Sequence, residues 1–224
     1  MQHKRLTLFA GHYGSGKTNI AVNYAILMAG EGKKVCIADL DIVNPYFRTA
    51  DSEKVLKDAG VTLISPQFAN SNVDLPALPA ESYRLVQDKS IYGIMDIGGD
   101  DRGAYALGRY VPAMVEEDNY RMVYVANCYR PLTRTPEDAL EVMREIEAAC
   151  GLRFTDIINN SNLGPETTAE TVLESMEYIQ KLSQLSGLPV FAHTAETAVA
   201  QNLTGIDNVF PLQLQEKYFD LPTI

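Results

Sequence analysis

The chain has 224 residues, of which 46% are hydrophobic and 21% charged, and its formal net charge is −10. The apolar share is typical of a globular protein that can bury a full core, and the acidity disfavours nonspecific binding to nucleic acid. No apolar run approaches the roughly 20 residues that span a bilayer, and the N-terminal run is too short for a secretory signal. We therefore expect a cytoplasmic protein that binds neither nucleic acid nor a membrane.

Strand and helix patterns alternate along the chain. The predicted strands are residues 5–10, 34–39, 61–65, 90–96, 121–127, 154–159 and 188–193, and the main predicted helices are residues 17–30, 136–150 and 164–187. Strands that read as continuous apolar runs between helices indicate a mostly parallel sheet covered on both faces. The sequence thus predicts a single α/β domain over residues 1–224, with one doubly wound sheet of about seven strands.

The three helices are predicted from apolar residues that recur at helical spacing. The residues expected to face the sheet are Ile20, Tyr24, Leu27 and Met28 in the first helix, Ala139, Met143, Ile146 and Cys150 in the second, and Val172, Met176 and Ile179 in the third. The second helix also has end signals, because Thr135 is a good N-cap before Pro136 and Gly151 follows the last turn. These patterns predict three amphipathic helices packed on the sheet.

Two features outside the regular pattern have plain interpretations. The three cysteines, Cys36, Cys128 and Cys150, lie far apart and form no C-x-x-C pair, which favours small core or loop residues over disulfides or a zinc site.

Residues 65–82 contain three prolines and little periodicity. Such a segment is either a surface excursion with lid or partner contacts or an ordinary connection.

The segment "GHYGSGKT", residues 11–18, matches the phosphate-loop pattern G-x-x-x-x-G-K-[ST] between a predicted strand and a predicted helix. Glycines let backbone N–H groups turn toward the α- and β-phosphates, and the start of the helix adds positive charge. Lys17 is expected to bridge the β- and γ-phosphates, and Thr18 to place its hydroxyl on Mg²⁺. The residues predicted to contact the nucleotide here are Gly11, Gly14, Ser15, Gly16, Lys17, Thr18 and Asn19.

Acidic residues lie at the ends of two of the predicted strands. "ADLD" carries Asp39 and Asp41, and "IMDIGGDD" carries Asp96 followed by Gly99. An aspartate at the carboxyl end of a strand lies at the sheet edge where α/β proteins bind ligands. Asp96 is expected to hold Mg²⁺ through water, and Gly99 completes a D-x-x-G pattern whose backbone N–H can sense a γ-phosphate.

Taken together, "GHYGSGKT", "CIADLDIVNP" and "GIMDIGGDD" resemble the MinD/ParA/CobQ-type phosphate-loop ATPases, a group that includes nitrogenase iron protein. The order and spacing match over roughly the first 100 residues, and "DIINNSNLG" extends the match to about residue 165. The resemblance implies that Asp41 orients the attacking water and that Asp39 is its companion on the metal side. It also implies that Asp96 is the Walker B aspartate and that Gly99 is the switch II glycine.

One position departs from this family. His12 stands where the relatives have a signature lysine that reaches the nucleotide of the partner subunit, so dimerisation through that lysine has no counterpart here. The relatives sandwich ATP between two subunits, and a homodimer remains among the expected assemblies. His12, Arg48 or Arg102 are candidate substitutes for the missing charge, because a cation stabilises the γ-phosphoryl oxygens in the transition state.

Base recognition is predicted at the end of the sixth strand. A guanine-reading N-K-x-D motif is absent from "INNSNLG". Asn159 and Asn160 end the strand, as does the base-contacting asparagine of MinD-like proteins, so either amide is a candidate to read the purine edge. These features favour ATP over GTP.

The leading functional hypothesis is a Mg²⁺-dependent ATPase that acts as a nucleotide-controlled switch on an unidentified protein partner. An alternative is an ATP-dependent synthetase or amidotransferase-like enzyme of the dethiobiotin synthetase or CobQ type, in which residues 65–79 would contribute to the substrate pocket. A nonenzymatic nucleotide-binding adaptor is the third.

Overall fold

The structure is a computed structural model that describes residues 3–40, 52–64, 80–98, 105 and 107–214. Within these residues the chain forms one sheet of eight strands. The strands are β1 Leu6–Ala10, β2 Val35–Leu40, β3 Thr62–Ile64, β4 Tyr92–Ile97, β5 Tyr120–Ala126, β6 Asp156–Asn159, β7 Val190–Glu196 and β8 Val209–Leu212.

The strand order is β3-β2-β4-β1-β5-β6-β7-β8, and every neighbouring pair is parallel. The chain winds first to one side of β1 and, after β4, to the other side. This arrangement confirms the predicted doubly wound parallel sheet and brings the carboxyl ends of all strands to one edge. Ligands of open α/β sheets bind at this edge, near the strand where the winding reverses.

The described α-helices are α1 Lys17–Gly30, α2 Glu53–Asp58, α3 Arg84–Gln87, α4 Val111–Glu117, α5 Pro136–Cys150, α6 Ala169–Glu174, α7 Met176–Ser186 and α8 Thr197–Ala200, with 3₁₀ turns at Ala80–Tyr83, Pro131–Thr133 and Gly164–Glu166. The limits of α1 and α5 coincide with those predicted from the sequence. In α5, Thr135 and Asp138 form a reciprocal capping box, and Gly151 ends the helix with a left-handed φ of 73°.

Both faces of the sheet are covered by helices. Along β1, Leu6 and Leu8 belong to the core on one face, which includes residues of α4, α5 and α7, whereas Phe9 belongs to the core on the other face, with α1 and α2. This alternation follows from the period of two in a strand. No helix in the described part of the chain is long and apolar enough to cross a membrane.

Two elements differ in detail from the sequence prediction. Besides the seven predicted strands, the described residues contain an eighth, Val209–Leu212, a short edge strand with Pro211, a residue that an edge strand tolerates. The helix predicted over residues 164–187 is divided into a 3₁₀ turn, α6 and α7. Thr168 caps α6, and the division from α7 falls at Ser175, whose hydroxyl donates to the carbonyl oxygen of Val172.

Two residues predicted to face the core do not lie in it. Leu27 is 37% exposed, whereas Ile20, Tyr24 and Met28 of the same helix are buried. Met176 is only half-buried, since it is the first residue of α7. Cys36 and Cys150 are buried as predicted, and the three cysteines are free thiols.

A partly buried ion pair lies at the end of the sheet opposite to the ligand-binding edge. Arg5, directly before β1, pairs with Glu117 at the end of α4 and donates to the carbonyl oxygens of Leu85 at 2.8 Å and Ile91 at 3.2 Å. The hydrogen bonds from Arg5 hold the pKa of Glu117 below its ordinary value. Through these contacts Arg5 connects the start of β1 to α3, to α4 and to the segment before β4.

Candidate functional site

The segment between β1 and α1, residues 11–16, turns tightly at the carboxyl end of the central strand. Gly11 has a φ of 154°, and a methyl group there would stand 2.6 Å from the carbonyl oxygen of Val125 in β5. Gly16 is the N-cap of α1 with a φ of 92°, and a methyl group there would overlap Nδ2 of Asn160. Both positions require glycine, because the loop backbone packs directly against its neighbours.

Lys17 begins α1 and turns back over this loop. Its side chain is buried, and Nζ donates a hydrogen bond to the carbonyl oxygen of His12 at 3.3 Å. The backbone N–H of Ser15 donates to the same carbonyl at 3.1 Å. The ammonium group therefore lies against the loop beside the N-terminus of α1, which carries a partial positive charge. Positive charge and backbone donors are thus concentrated where a phosphate can bind.

The predicted metal ligands are brought to this edge by three elements. Asp39 of β2 and Asp96 of β4 are direct partners in the parallel pairing, and Asp96 is also paired with Phe9 of β1. Both aspartates are buried, with 2% and 0% exposure, and Thr18 is buried in the first turn of α1. Mg²⁺ prefers carboxylate and hydroxyl oxygens, so this donor set fits that ion.

Some of the predicted residues lie outside the part of the chain that the structure describes. These are Asp41 and Gly99, which follow β2 and β4, and the candidate cations Arg48 and Arg102. Residues 65–79 of the proline-containing segment also lie outside it. Their proposed roles remain predictions from the sequence.

Asn160, a predicted base-contacting residue, is bound to the phosphate loop. Its Nδ2 donates to the carbonyl oxygen of Ser15 at 2.6 Å, and its Oδ1 accepts from Oγ1 of Thr194 at 2.6 Å. Asn160 is 5% exposed and its side chain also covers Gly16. The side chain therefore connects the loop to β7 and holds the Ser15 peptide in a fixed orientation. Asn19, also predicted to contact the nucleotide, is half-buried on α1, where its carbonyl oxygen accepts from Asn23.

Asn159, the other predicted base-contacting residue, forms a separate set of hydrogen bonds. Its Nδ2 donates to Oγ of Ser175 at 2.8 Å and lies 3.4 Å from Nδ1 of His193, and its Oδ1 accepts from the N–H of Ser161. Burial lowers the pKa of His193, which favours the neutral ring that can accept this hydrogen bond. Asn159 is fully buried, so this residue joins β6 to the start of α7 and to β7.

Two residues near the loop were not predicted. Asn127 directly follows β5, and its Oδ1 accepts from the N–H groups of Tyr129 and Asn162. It could have been found by the rule that identified Asp96, a polar residue at the carboxyl end of a buried strand. Arg130, at the end of the same turn, lies against Gly14 of the phosphate loop. No local sequence signal indicates this contact, because the two residues come from different strand–helix connections.

No protein-family model matches the chain, and no curated protein matches it. Among solved structures, the chain is similar to the cell division protein FtsY of Thermotoga maritima, with a TM-score of 0.60 and 19% identity over 85% of this chain and 61% of that chain. It is also similar to the signal recognition particle receptor FtsY of Elizabethkingia anophelis in complex with GDP, with a TM-score of 0.53 and 17% identity over 87% and 58%. For the signal recognition particle 54 kDa protein of Aeropyrum pernix in complex with GDP, the TM-score is 0.52 and the identity is 14%, over 86% of this chain and 41% of that chain.

These similarities establish the fold, which is an α/β phosphate-loop fold with one parallel sheet. The chain spans 61% of the length of the Thermotoga maritima protein and less of the other two. The FtsY and 54 kDa structures support this fold and not the MinD/ParA/CobQ-type assignment in particular.

Proposed function

We propose that this protein binds a purine nucleoside triphosphate with Mg²⁺, hydrolyses it and uses the cycle as a switch on a protein partner. The observation that carries the proposal is the position of Lys17, whose ammonium group lies on the carbonyl oxygen of His12 within a glycine-bounded loop. Beside this loop, Asp39 and Asp96 are neighbours on adjacent strands. A cationic loop next to paired carboxylates is suited to a phosphate chain and a divalent ion.

In this proposal Thr18, Asp39 and Asp96 hold Mg²⁺, which neutralises charge on the phosphate oxygens when it is bound. Lys17 exchanges its bond with the carbonyl oxygen of His12 for the β- and γ-phosphates, because an anionic oxygen is the stronger acceptor. The backbone N–H groups of residues 14–18 bind the remaining oxygens. Asp41 orients the attacking water, as the family resemblance implies.

We propose ATP as the preferred nucleotide, since residues 156–164 lack the N-K-x-D motif that reads guanine. GTP is the second candidate, because two structurally similar proteins were solved in complex with GDP. A direct base contact by Asn160 would require it to exchange its bonds to Ser15 and Thr194. Membership of the MinD/ParA/CobQ-type group is part of the same proposal and rests on the sequence motifs.

The switch is proposed to act through the segments that follow Asp39 and Asp96. Asp41 and Gly99 come two and three residues after these buried aspartates. A γ-phosphate and its Mg²⁺ can therefore hold both segments, and hydrolysis releases them. A protein partner, or a second copy of this chain, would read the difference between the two states.

The test is phosphate release from ATP and GTP, with Mg²⁺ or with EDTA, by the wild type, D41A and D96N. We expect Mg²⁺-dependent hydrolysis by the wild type, loss of hydrolysis with retained binding in D41A, and a higher Mg²⁺ requirement in D96N. Turnover that begins only when an organic acid is added would instead indicate the synthetase. Nucleotide binding without turnover under any condition would indicate the adaptor.

A further inference from the structure

The side chain of Arg130 lies next to Gly14 of the phosphate loop. A methyl group built on Gly14 would stand 3.6 Å from Nε and 3.7 Å from Cζ of Arg130, which places the guanidinium group in van der Waals contact range of this residue. Gly14 lies between the two glycines that fix the turn, and it is exposed. A phosphate chain bound to the loop would therefore lie close to two cations, Lys17 on the helix side and Arg130 on the side of Gly14.

The guanidinium group of Arg130 has an unsatisfied hydrogen-bond donor within the described part of the chain. Its Nε is buried and has no hydrogen-bond partner there, and no ion pair joins it to a described carboxylate. A buried, unpaired donor of a charged group is costly, and most such groups have a partner in the functional state. The absence of an ion pair to a described carboxylate is unexpected, because the chain has 29 acidic residues and only 19 lysines and arginines.

The turn that carries Arg130 is held in place from several sides. The carbonyl oxygen of Asn127 accepts from the N–H of Arg130 at 3.3 Å and from Oγ1 of Thr133 at 2.8 Å. The hydroxyl of Tyr178 in α7 donates to the carbonyl oxygen of Thr133 at 3.0 Å, and that of Tyr129 donates to the backbone of α6 at 2.9 Å. Arg130 is therefore presented to the loop by a fixed support, which reduces the entropy lost when it binds a ligand.

We propose that Arg130 is a phosphate-binding residue, which supplies from within the same chain the second positive charge of the nucleotide site. The proposal rests on the proposed nucleotide-binding function. The guanidinium group is planar and forked, and it matches two phosphate oxygens at once. In this role Arg130 compensates for His12, a residue without a fixed charge whose Nδ1 bonds to the carbonyl oxygen of Tyr13.

The experiment compares R130A, R130K and R130Q with the wild type in binding ATP, GTP and inorganic tripolyphosphate, each with Mg²⁺, by calorimetry. The control is R134A, an exposed arginine of the same turn. Loss of Arg130 should weaken binding of the triphosphates and of tripolyphosphate about 10- to 100-fold, the range of one charge-assisted hydrogen bond. R130K should lie between R130A and the wild type, and R134A should bind like the wild type. The melting temperature without ligand should stay unchanged in R130Q, because no described hydrogen bond is lost at Nε.

The outcomes separate this proposal from the proposed function. Wild-type affinity in R130A and R130Q, together with weak binding by K17A, overturns the role of Arg130 and leaves nucleotide binding intact. If the wild type binds neither the triphosphates nor tripolyphosphate, nucleotide binding itself is wrong. A loss in R130A that R134A shares equally would mean that the effect comes from general charge, and the specific role is then rejected.

Discussion

The isosteric substitution N160D tests the support of the phosphate loop. The Nδ2 of Asn160 donates to the carbonyl oxygen of Ser15 at 2.6 Å in a site where Asn160 is 5% exposed. A carboxylate at this position would place one of its oxygens against the carbonyl oxygen of Ser15, with both atoms shielded from water. The lost hydrogen bond and the buried, unsatisfied charge together should lower the free energy of unfolding by about 3 kcal/mol at pH 8.

The pH dependence of this loss gives the sharper prediction. A penalty of about 3 kcal/mol corresponds to a folded-state pKa of about 6 for the introduced carboxyl, against about 3.9 in the unfolded chain. The protonated carboxyl can donate to the carbonyl oxygen of Ser15, so the penalty is complete above the folded-state pKa and disappears as the pH falls toward the unfolded one. About half of the penalty should remain at pH 5.

Urea unfolding of the wild type and N160D at pH 8 and pH 5 measures both quantities. The control is N202D, because the amide of Asn202 also donates to a carbonyl oxygen, that of Ala198 at 2.9 Å, but the residue is exposed. N202D should change stability by less than about 0.5 kcal/mol at either pH. An equal loss in N160D at both pH values, or none at pH 8, would refute the account of how Asn160 holds the loop.

Two further variants test the loop geometry and the far end of the sheet. In the same urea experiment, G11A should lose about 3 kcal/mol or more of stability, because its methyl group would meet the carbonyl oxygen of Val125 at 2.6 Å. G32A is the control and should lose only about 1 kcal/mol, because Gly32 has a φ of 79° but open space around it. E117Q should lose roughly 3 kcal/mol at neutral pH, since it breaks the ion pair with Arg5. Because the pKa of Glu117 is lowered, the difference from the wild type should be complete above about pH 4.3 and shrink at lower pH, and a difference that is constant down to pH 3 would contradict this account.

The fold could be predicted because local signals agreed with one another. Continuous apolar strands, helical periodicity and end signals such as the capping box at Thr135 all indicated a doubly wound parallel sheet. One failure occurred where a polar contact decides the structure. Ser175 marks the division of the predicted third helix, and its hydroxyl accepts from Asn159, a contact with another strand that periodicity does not reveal.

The candidate site was predictable where a motif or a strand end marks it. Lys17 follows from the phosphate-loop pattern, and Asp39 and Asp96 follow from the rule that strand carboxyl ends share one edge. The position of Arg130 depends on the packing of the turn after β5 against the phosphate loop, which is a tertiary contact between distant parts of the sequence. The hydrogen bond of Asn160 to Ser15 likewise required the structure, since the sequence indicated only a polar residue at a strand end.

The most direct test of the central claim is calorimetry of the folded wild type and K17A with ATP and with GTP in the presence of Mg²⁺. Lys17 is the cation that lies on the loop, and its removal leaves the fold without its main phosphate-binding charge. We expect the wild type to bind at least one of the two triphosphates and K17A to bind it about 100-fold more weakly or not at all. Equal binding by the wild type and K17A, or no heat with either nucleotide, would contradict the assignment of this loop as a nucleotide site.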